Sequence, residues 1–132
     1  MNQYFAYGSN LDEDQMNDRC PGAKAKGVIR LDNYEFFIDT RGVASIRPNK
    51  GKAVYGLRYD ISDKDEESLD RHEGVPKCYT KTKLPEIGCF CYVSTSPQGN
   101  IPRPGYVEKI IKAAENHKLP EQYINELKSW VK

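Results

Sequence analysis

No run of apolar residues in this 132-residue sequence approaches the length needed to cross a bilayer, so no membrane partner is expected. No C-x-x-C pair occurs among its four cysteines, Cys20, Cys78, Cys89 and Cys91, and only two histidines, His72 and His117, are present. Those spacings match no ordinary zinc pattern. Reduced, partly buried thiols acting as small hydrophobes are therefore expected, and no metal. Nor is there an excess of charge of either sign. Lys and Arg number 20 against 19 Asp and Glu, a formal net charge of +1 at pH 7. That balance argues against a protein built to coat nucleic acid, although it leaves room for a local patch. Repeats, low-complexity tracts and linkers are missing too, and the length suits one domain over residues 1–132. The opening "MNQYFAYG" has neither a basic n-region nor an apolar h-region, so a soluble, cytoplasmic protein is expected.

What is present reads as a mixture of strands and helices. Residues 3–7 alternate and are aromatic, as a strand should be. Residues 11–20 read as a short helix with acids in its first turn, ended by Pro21 and Gly22. From 23 to 60 the signal is mostly β, in four short pieces: "AKGVIRL", "NYEFFI", "VASIRP" and "AVYGLRYDI". Pro48, Asn49, Lys50 and Gly51 suggest a hairpin turn between two of them. Residues 62–74 read as the best-marked helix in the first two thirds, with Ser62 as cap, Asp65 in a capping-box position and Gly74 as C-terminal stop. Two strands over about 77–84 and 87–95 follow, then an irregular connection. Helices start near Pro104 and Pro120, each with an apolar stripe expected to pack on the sheet. Seven short strands with helices between and after them predict an α+β fold, a small mixed β-barrel with flanking helices.

Glu73 stands out against this background. It lies four residues after Leu69, the one strong apolar residue of the 62–74 helix, so both share the inward face. It also sits at the helix C-terminus, where the partial charge is negative. Burial and dipole both disfavour its carboxylate, and both push its pKa up, as a general base working near neutral pH requires. An exposed glutamate on a frayed last turn is the competing reading.

The first turn is the second candidate. "YGSNL" breaks the opening strand and leads into a helix, freeing several backbone N–H groups at once. Gly8 lets a ligand come close to the main chain. Successive free N–H groups beside a helix N-terminus suit a carboxylate or an oxyanion. Tyr4 and Tyr7 would add hydroxyl donors where the strand register turns them that way. An ordinary strand-to-helix turn capped by Asn10 or Asp12 is the competing reading.

"YFAYGSNL" at 4–11, followed by "LDRHEGVPKCY" at 69–79, resembles the γ-glutamylcyclotransferase superfamily, which includes AIG2-like and butirosin-deblocking-type cyclotransferases. "PGYVEKIIKAAENHKLPEQYINEL" at 104–127 resembles the C-terminal region of the γ-glutamylcyclotransferases proper. The likeness runs in order over nearly the whole length. It implies that the substrate loop is Tyr4, Phe5, Ala6, Tyr7, Gly8 and Ser9, that the catalytic glutamate is Glu73, and that Tyr106 and Tyr79 touch the substrate. One departure is visible: the segment between "NYEFFIDT" and "GVASIRP", which helps wall the site in some relatives, is very short.

The implied partner is a small γ-glutamyl compound. Its own α-amine attacks its γ-carbonyl, releasing 5-oxoproline and an amine. That chemistry calls for no cofactor, metal, nucleotide or covalent intermediate. γ-Glutamyl-amino acids are the substrates the tail favours. γ-Glutamyl-amines or glutamylated natural products are kept open by the short segment, and glutathione ranks last. A non-catalytic barrel that binds a small acid or a partner protein is the alternative from another class. Several relatives pair, so the resemblance leaves a homodimer open.

Overall fold

The structure is a computed structural model and describes residues 1–131. Five strands form one sheet in the order β2-β3-β1-β5-β4. They are β1 (Asn2–Ala6), β2 (Lys24–Ile38), β3 (Ala44–Ile61), β4 (Tyr79–Leu84) and β5 (Cys89–Ser94). The helices are α1 (Glu13–Arg19), α2 (Asp63–Glu73), α3 (Tyr106–Asn116) and α4 (Glu121–Lys128), with a 3₁₀ turn over Ser9–Leu11. The α+β class is as expected.

The short β1 occupies the centre of the sheet. It pairs antiparallel with β3, Tyr4 opposite Tyr59, and parallel with β5, Tyr4 opposite Phe90. Its core residues Phe5 and Ala6 are fully buried. A buried Phe side chain contributes about 1.5–3 kcal/mol, so this small strand anchors the fold. β3 lies close enough that a Cβ at Gly56 would come within 2.4 Å of the Ala6 carbonyl oxygen. Only glycine permits that approach.

The stretch from 23 to 60 corrects the expectation of four short strands. It folds as two long ones, β2 and β3, joined at Asp39–Val43. Residues 49–52 do not turn the chain. They bulge out of β3 between the Asp32–Ala53 and Tyr34–Pro48 pairs, facing the single residue Asn33. Asn33 and Gly51 take positive φ there, 65° and 88°, and the Asn33 side-chain oxygen accepts from the Gly51 N–H at 3.1 Å. Turn-forming residues thus serve a bulge, which bends a strand without ending it.

The sheet is also not closed into the expected barrel. Its ladder ends at β2 on one side and β4 on the other. Both edges carry charged residues, Lys24, Lys26, Arg30 and Asp32 on β2, Lys81 and Lys83 on β4. Charged edges resist pairing with other strands, so closure is not needed to protect them.

Local chemistry sets the helices as the sequence suggests. Asp12 caps α1, accepting from the Asp14 and Gln15 N–H groups. Ser62 caps α2 by accepting from the Asp65 N–H at 3.1 Å, and Gly74 stops it with φ 66°. α3 buries Val107, Ile110, Ile111 and Ala114, while α4 sets Tyr123 against Tyr55 of β3 with ring centroids 5.2 Å apart. No helix among the described residues is long and apolar enough to cross a membrane. The four cysteines are free, and no group of three or more His, Cys, Asp and Glu side chains is placed to hold a metal among the described residues.

Candidate active site

Because β1 is central and short, the chain leaves the sheet in the middle of the molecule. A recess of about 30 Å³ opens there, lined by Tyr4, Tyr7 and the Gly8–Asn10 turn, with Ala44, Glu73, Tyr79, Tyr92 and Tyr106 around it. Element ends supply most of these. Tyr7 follows β1, Ala44 begins β3, Glu73 ends α2, Tyr79 begins β4 and Tyr106 begins α3.

Glu73 reaches the recess because Leu69, one turn earlier, is fully buried and fixes which face of α2 looks inward. The glutamate is half-buried, and its carboxylate accepts no protein hydrogen bond among the described residues. Burial pushes its pKa above the ordinary value, while the nearby charges of Arg19, His72 and Arg41 partly restrain that rise. An unpartnered carboxylate with a raised pKa is equipped to take up and return a proton.

The turn after β1 provides donors. Leu11 N–H and Asp12 N–H bond back to the Gly8 and Ser9 carbonyls at 3.0 and 3.2 Å. The N–H groups of Gly8, Ser9 and Asn10 precede that first pair of bonds and donate to no protein acceptor among the described residues. All three residues line the recess. Free amides at the start of a helical turn attract an anion.

Five tyrosines surround the recess, and their hydrogen bonds divide them. Tyr7 donates to the Tyr92 carbonyl at 2.5 Å, Tyr79 to the Ala44 carbonyl at 2.8 Å, and Tyr92 to the Asp70 carboxylate at 2.7 Å. Their protons are committed to the fold. Tyr106 instead accepts from the Ala44 N–H at 3.0 Å, and Tyr4 accepts from the Asn10 side-chain amide at 3.1 Å. The Asn10 orientation follows from its oxygen, which accepts from Arg19 Nη1 at 3.1 Å; arginine can only donate. Tyr4 and Tyr106 therefore keep their phenol protons for a ligand. Burial raises the pKa of both, Tyr106 to about 12, so each is a neutral donor at physiological pH.

The very short segment between β2 and β3 builds the remaining wall. Asp39, fully buried, accepts from the Arg41 N–H at 2.8 Å, the Val43 N–H at 3.2 Å and the Ser94 hydroxyl at 2.5 Å. It also holds the Arg41 guanidinium at 3.1 Å, which lies 5.0 Å over the Tyr79 ring. This knot fixes the position of Ala44, whose main chain in turn orients Tyr79 and Tyr106.

Of the residues singled out from the sequence, Glu73, Tyr4, Tyr7, Gly8, Ser9, Tyr79 and Tyr106 meet at this one recess. Phe5 and Ala6 do not line it; they are fully buried in the core below. Asn10, Ala44 and Tyr92 line it without having been singled out as site residues. Asn10 lay inside the quoted motif. Nothing in the sequence signals the other two, which arrive through the β3 and β5 pairings.

Comparison with known proteins places the chain in a family. The model of the AIG2-like family matches residues 53–127, which include Glu73, Tyr79 and Tyr106. Mouse "Gamma-glutamylcyclotransferase" is 31% identical over 144 residues, covering 96% of this chain and 77% of the mouse protein. The human protein of the same name is 29% identical with the same coverage. A solved structure titled "Gamma-glutamyl cyclotransferase" superposes with a TM-score of 0.83 at 28% identity, covering 97% of this chain and 86% of that one. The chain belongs to the AIG2-like, γ-glutamylcyclotransferase family.

Proposed function

We propose that the protein is a γ-glutamyl cyclotransferase that converts a γ-glutamyl compound into 5-oxoproline and a free amine, with Glu73 as its acid and base. The observation that carries this reading is the placement of an unpartnered, half-buried Glu73 carboxylate in one recess with free main-chain donors of the Gly8–Asn10 turn. The glutamyl end of the substrate enters the recess. Its α-ammonium gives a proton to Glu73, and the freed amine attacks the γ-carbonyl carbon. Amine and carbonyl belong to one molecule, so the site mainly has to fold the glutamyl chain and hold it.

As the five-membered ring closes, the carbonyl oxygen becomes an oxyanion. The free N–H groups of the turn and the uncommitted phenol proton of Tyr106 stabilise it. Tyr4 offers its proton to the α-carboxylate. Glu73 then returns the proton to the leaving nitrogen, the amide C–N bond breaks, and the ring nitrogen passes its remaining extra proton through Glu73 to the departing amine, so 5-oxoproline and an ammonium depart. Substrate and products differ by that cleavage and ring closure and by the two protons moved from the α-nitrogen to the leaving nitrogen. Four free thiols and a small-molecule substrate are consistent with a cytoplasmic enzyme.

A panel of γ-glutamyl-amino acids, γ-glutamyl-amines and glutathione, assayed for 5-oxoproline, tests the proposal. Turnover of at least one class supports it. Inactivity across the panel, with binding retained, returns the protein to the reading of a non-catalytic binder.

A further inference from the structure

The recess that holds Glu73 opens into a second, wider cleft of about 410 Å³. Ser9, Glu73, Tyr79 and Tyr106 line both, so the two spaces are continuous at the reacting end. The recess itself, at about 30 Å³, takes only the reacting end of a γ-glutamyl compound. A glutamyl group seated in it must therefore direct its leaving group outward.

The outer cleft differs sharply in charge from the protein as a whole. Arg19, Arg41, Arg71, Arg103 and Lys109 face it, and Glu73 is its one carboxylate among the described residues. Over the entire chain the formal net charge is only +1. Two of the five cations are answered by the protein itself. Arg41 lies 3.1 Å from Asp39, and Lys109 lies 3.8 Å from Asp12. Arg19, Arg71 and Arg103 have no carboxylate within 4.0 Å among the described residues. Arg19 is held by its bond to Asn10, and Arg103 donates through Nε to the Arg41 carbonyl at 2.9 Å. Two guanidiniums are thus already placed at the mouth. Guanidiniums bind carboxylates through paired N–H donors, and a cleft lined by one sign of charge concentrates its counter-ion.

We propose that this outer cleft selects a leaving group bearing two carboxylates, the acidic amino acid of a γ-glutamyl-glutamate or γ-glutamyl-aspartate, with Arg71 and Arg103 as specificity-determining residues. The inference rests on the cyclotransferase reading and deepens it. An alkylamine leaving group brings no negative charge to the cleft, and a neutral amino acid brings one carboxylate. An acidic amino acid brings two, which three unanswered guanidiniums can share. The reaction remains the same cleavage: the γ-amide C–N bond breaks, the departing nitrogen receives the proton from Glu73, and free glutamate or aspartate leaves.

The test compares γ-glutamyl-glutamate with γ-glutamyl-glutamine, nearly the same shape with one charge fewer, and with γ-glutamyl-ethylamine. At low salt, kcat/KM for the glutamate compound is expected to exceed that for the glutamine compound by about fivefold, consistent with partly exposed ion pairs. The ratio should shrink toward one near 1 M salt, where screening acts over about 3 Å. Arg71→Gln and Arg103→Gln should each lower the ratio, and Lys64→Gln, on the exposed face of α2, should not. Arg71 makes no side-chain hydrogen bond among the described residues, so its replacement tests charge without loosening the fold. Equal kcat/KM for the glutamate and glutamine compounds overturns this inference alone. A preference that neither salt nor either arginine variant reduces does the same. Failure of all three compounds to yield 5-oxoproline overturns the cyclotransferase reading and this inference with it.

Discussion

The backbone N–H of Ala44 donates to the Tyr106 hydroxyl at 3.0 Å, which leaves the phenol proton of Tyr106 unspent. The carbonyl of the same residue accepts the proton of Tyr79 at 2.8 Å. Two tyrosines on one peptide segment thereby acquire different work. Tyr106→Phe removes a donor aimed at the developing oxyanion, and kcat should fall by about 10²-fold. Tyr79→Phe removes a bond internal to the protein. It should cost about 1 kcal/mol of stability and leave kcat within a few fold. Steady-state kinetics and denaturant melts on the two variants separate these effects. Equal losses of kcat would contradict the division of roles.

Gly8→Ala should act on substrate more than on folding. A Cβ at this position would sit 3.5 Å from the Ala44 Cβ and 3.6 Å from the Tyr106 oxygen, ordinary contacts that need no rearrangement. It would nonetheless occupy space in a recess of about 30 Å³ beside the Tyr106 hydroxyl. KM should rise about tenfold while the midpoint of urea unfolding stays nearly fixed. Stability falling together with affinity would return the turn to a purely structural role.

Glu73 carries a pH dependence whose sign can be worked out. Its pKa in the folded protein is raised from the ordinary 4.5, chiefly by burial. Between the two values the folded state binds more protons at this group than the unfolded state does. Stability contributed by Glu73 therefore falls as pH rises through that window. Glu73→Gln should make the protein more stable than the parent at neutral pH, with the gain vanishing below the ordinary carboxylate range. The acidic limb of kcat/KM should likewise lie above 4.5. Parallel chemical denaturation at acid and neutral pH checks the first expectation. A destabilised Glu73→Gln at neutral pH would mean that the carboxylate is structural.

Features governed by near neighbours were legible in the sequence. The α2 helix, its Ser62 cap and its Gly74 stop depend on residues within one turn of each other, and the Leu69–Glu73 spacing alone aimed the glutamate inward. The bulge at 49–52 was not legible, because Pro48, Asn49 and Gly51 suit a hairpin turn equally well. Only the long pairing of β2 with β3 decides between them. The site was half legible for the same reason. Gly8 and Glu73 carry local signals, while Tyr92 and the Ala44 main chain enter through pairings across dozens of residues. The hydrogen bonds that free Tyr4 and Tyr106 but commit Tyr7 and Tyr79 exist only once the fold is complete.

The most direct measurement is single-turnover release of 5-oxoproline from a γ-glutamyl-amino acid by the parent protein and by Glu73→Gln, with substrate binding followed by calorimetry in both. The parent should release 5-oxoproline and amine in equal amounts. Glu73→Gln should bind with similar affinity and release 5-oxoproline at least about 10²-fold more slowly. Undiminished release from Glu73→Gln would contradict the account.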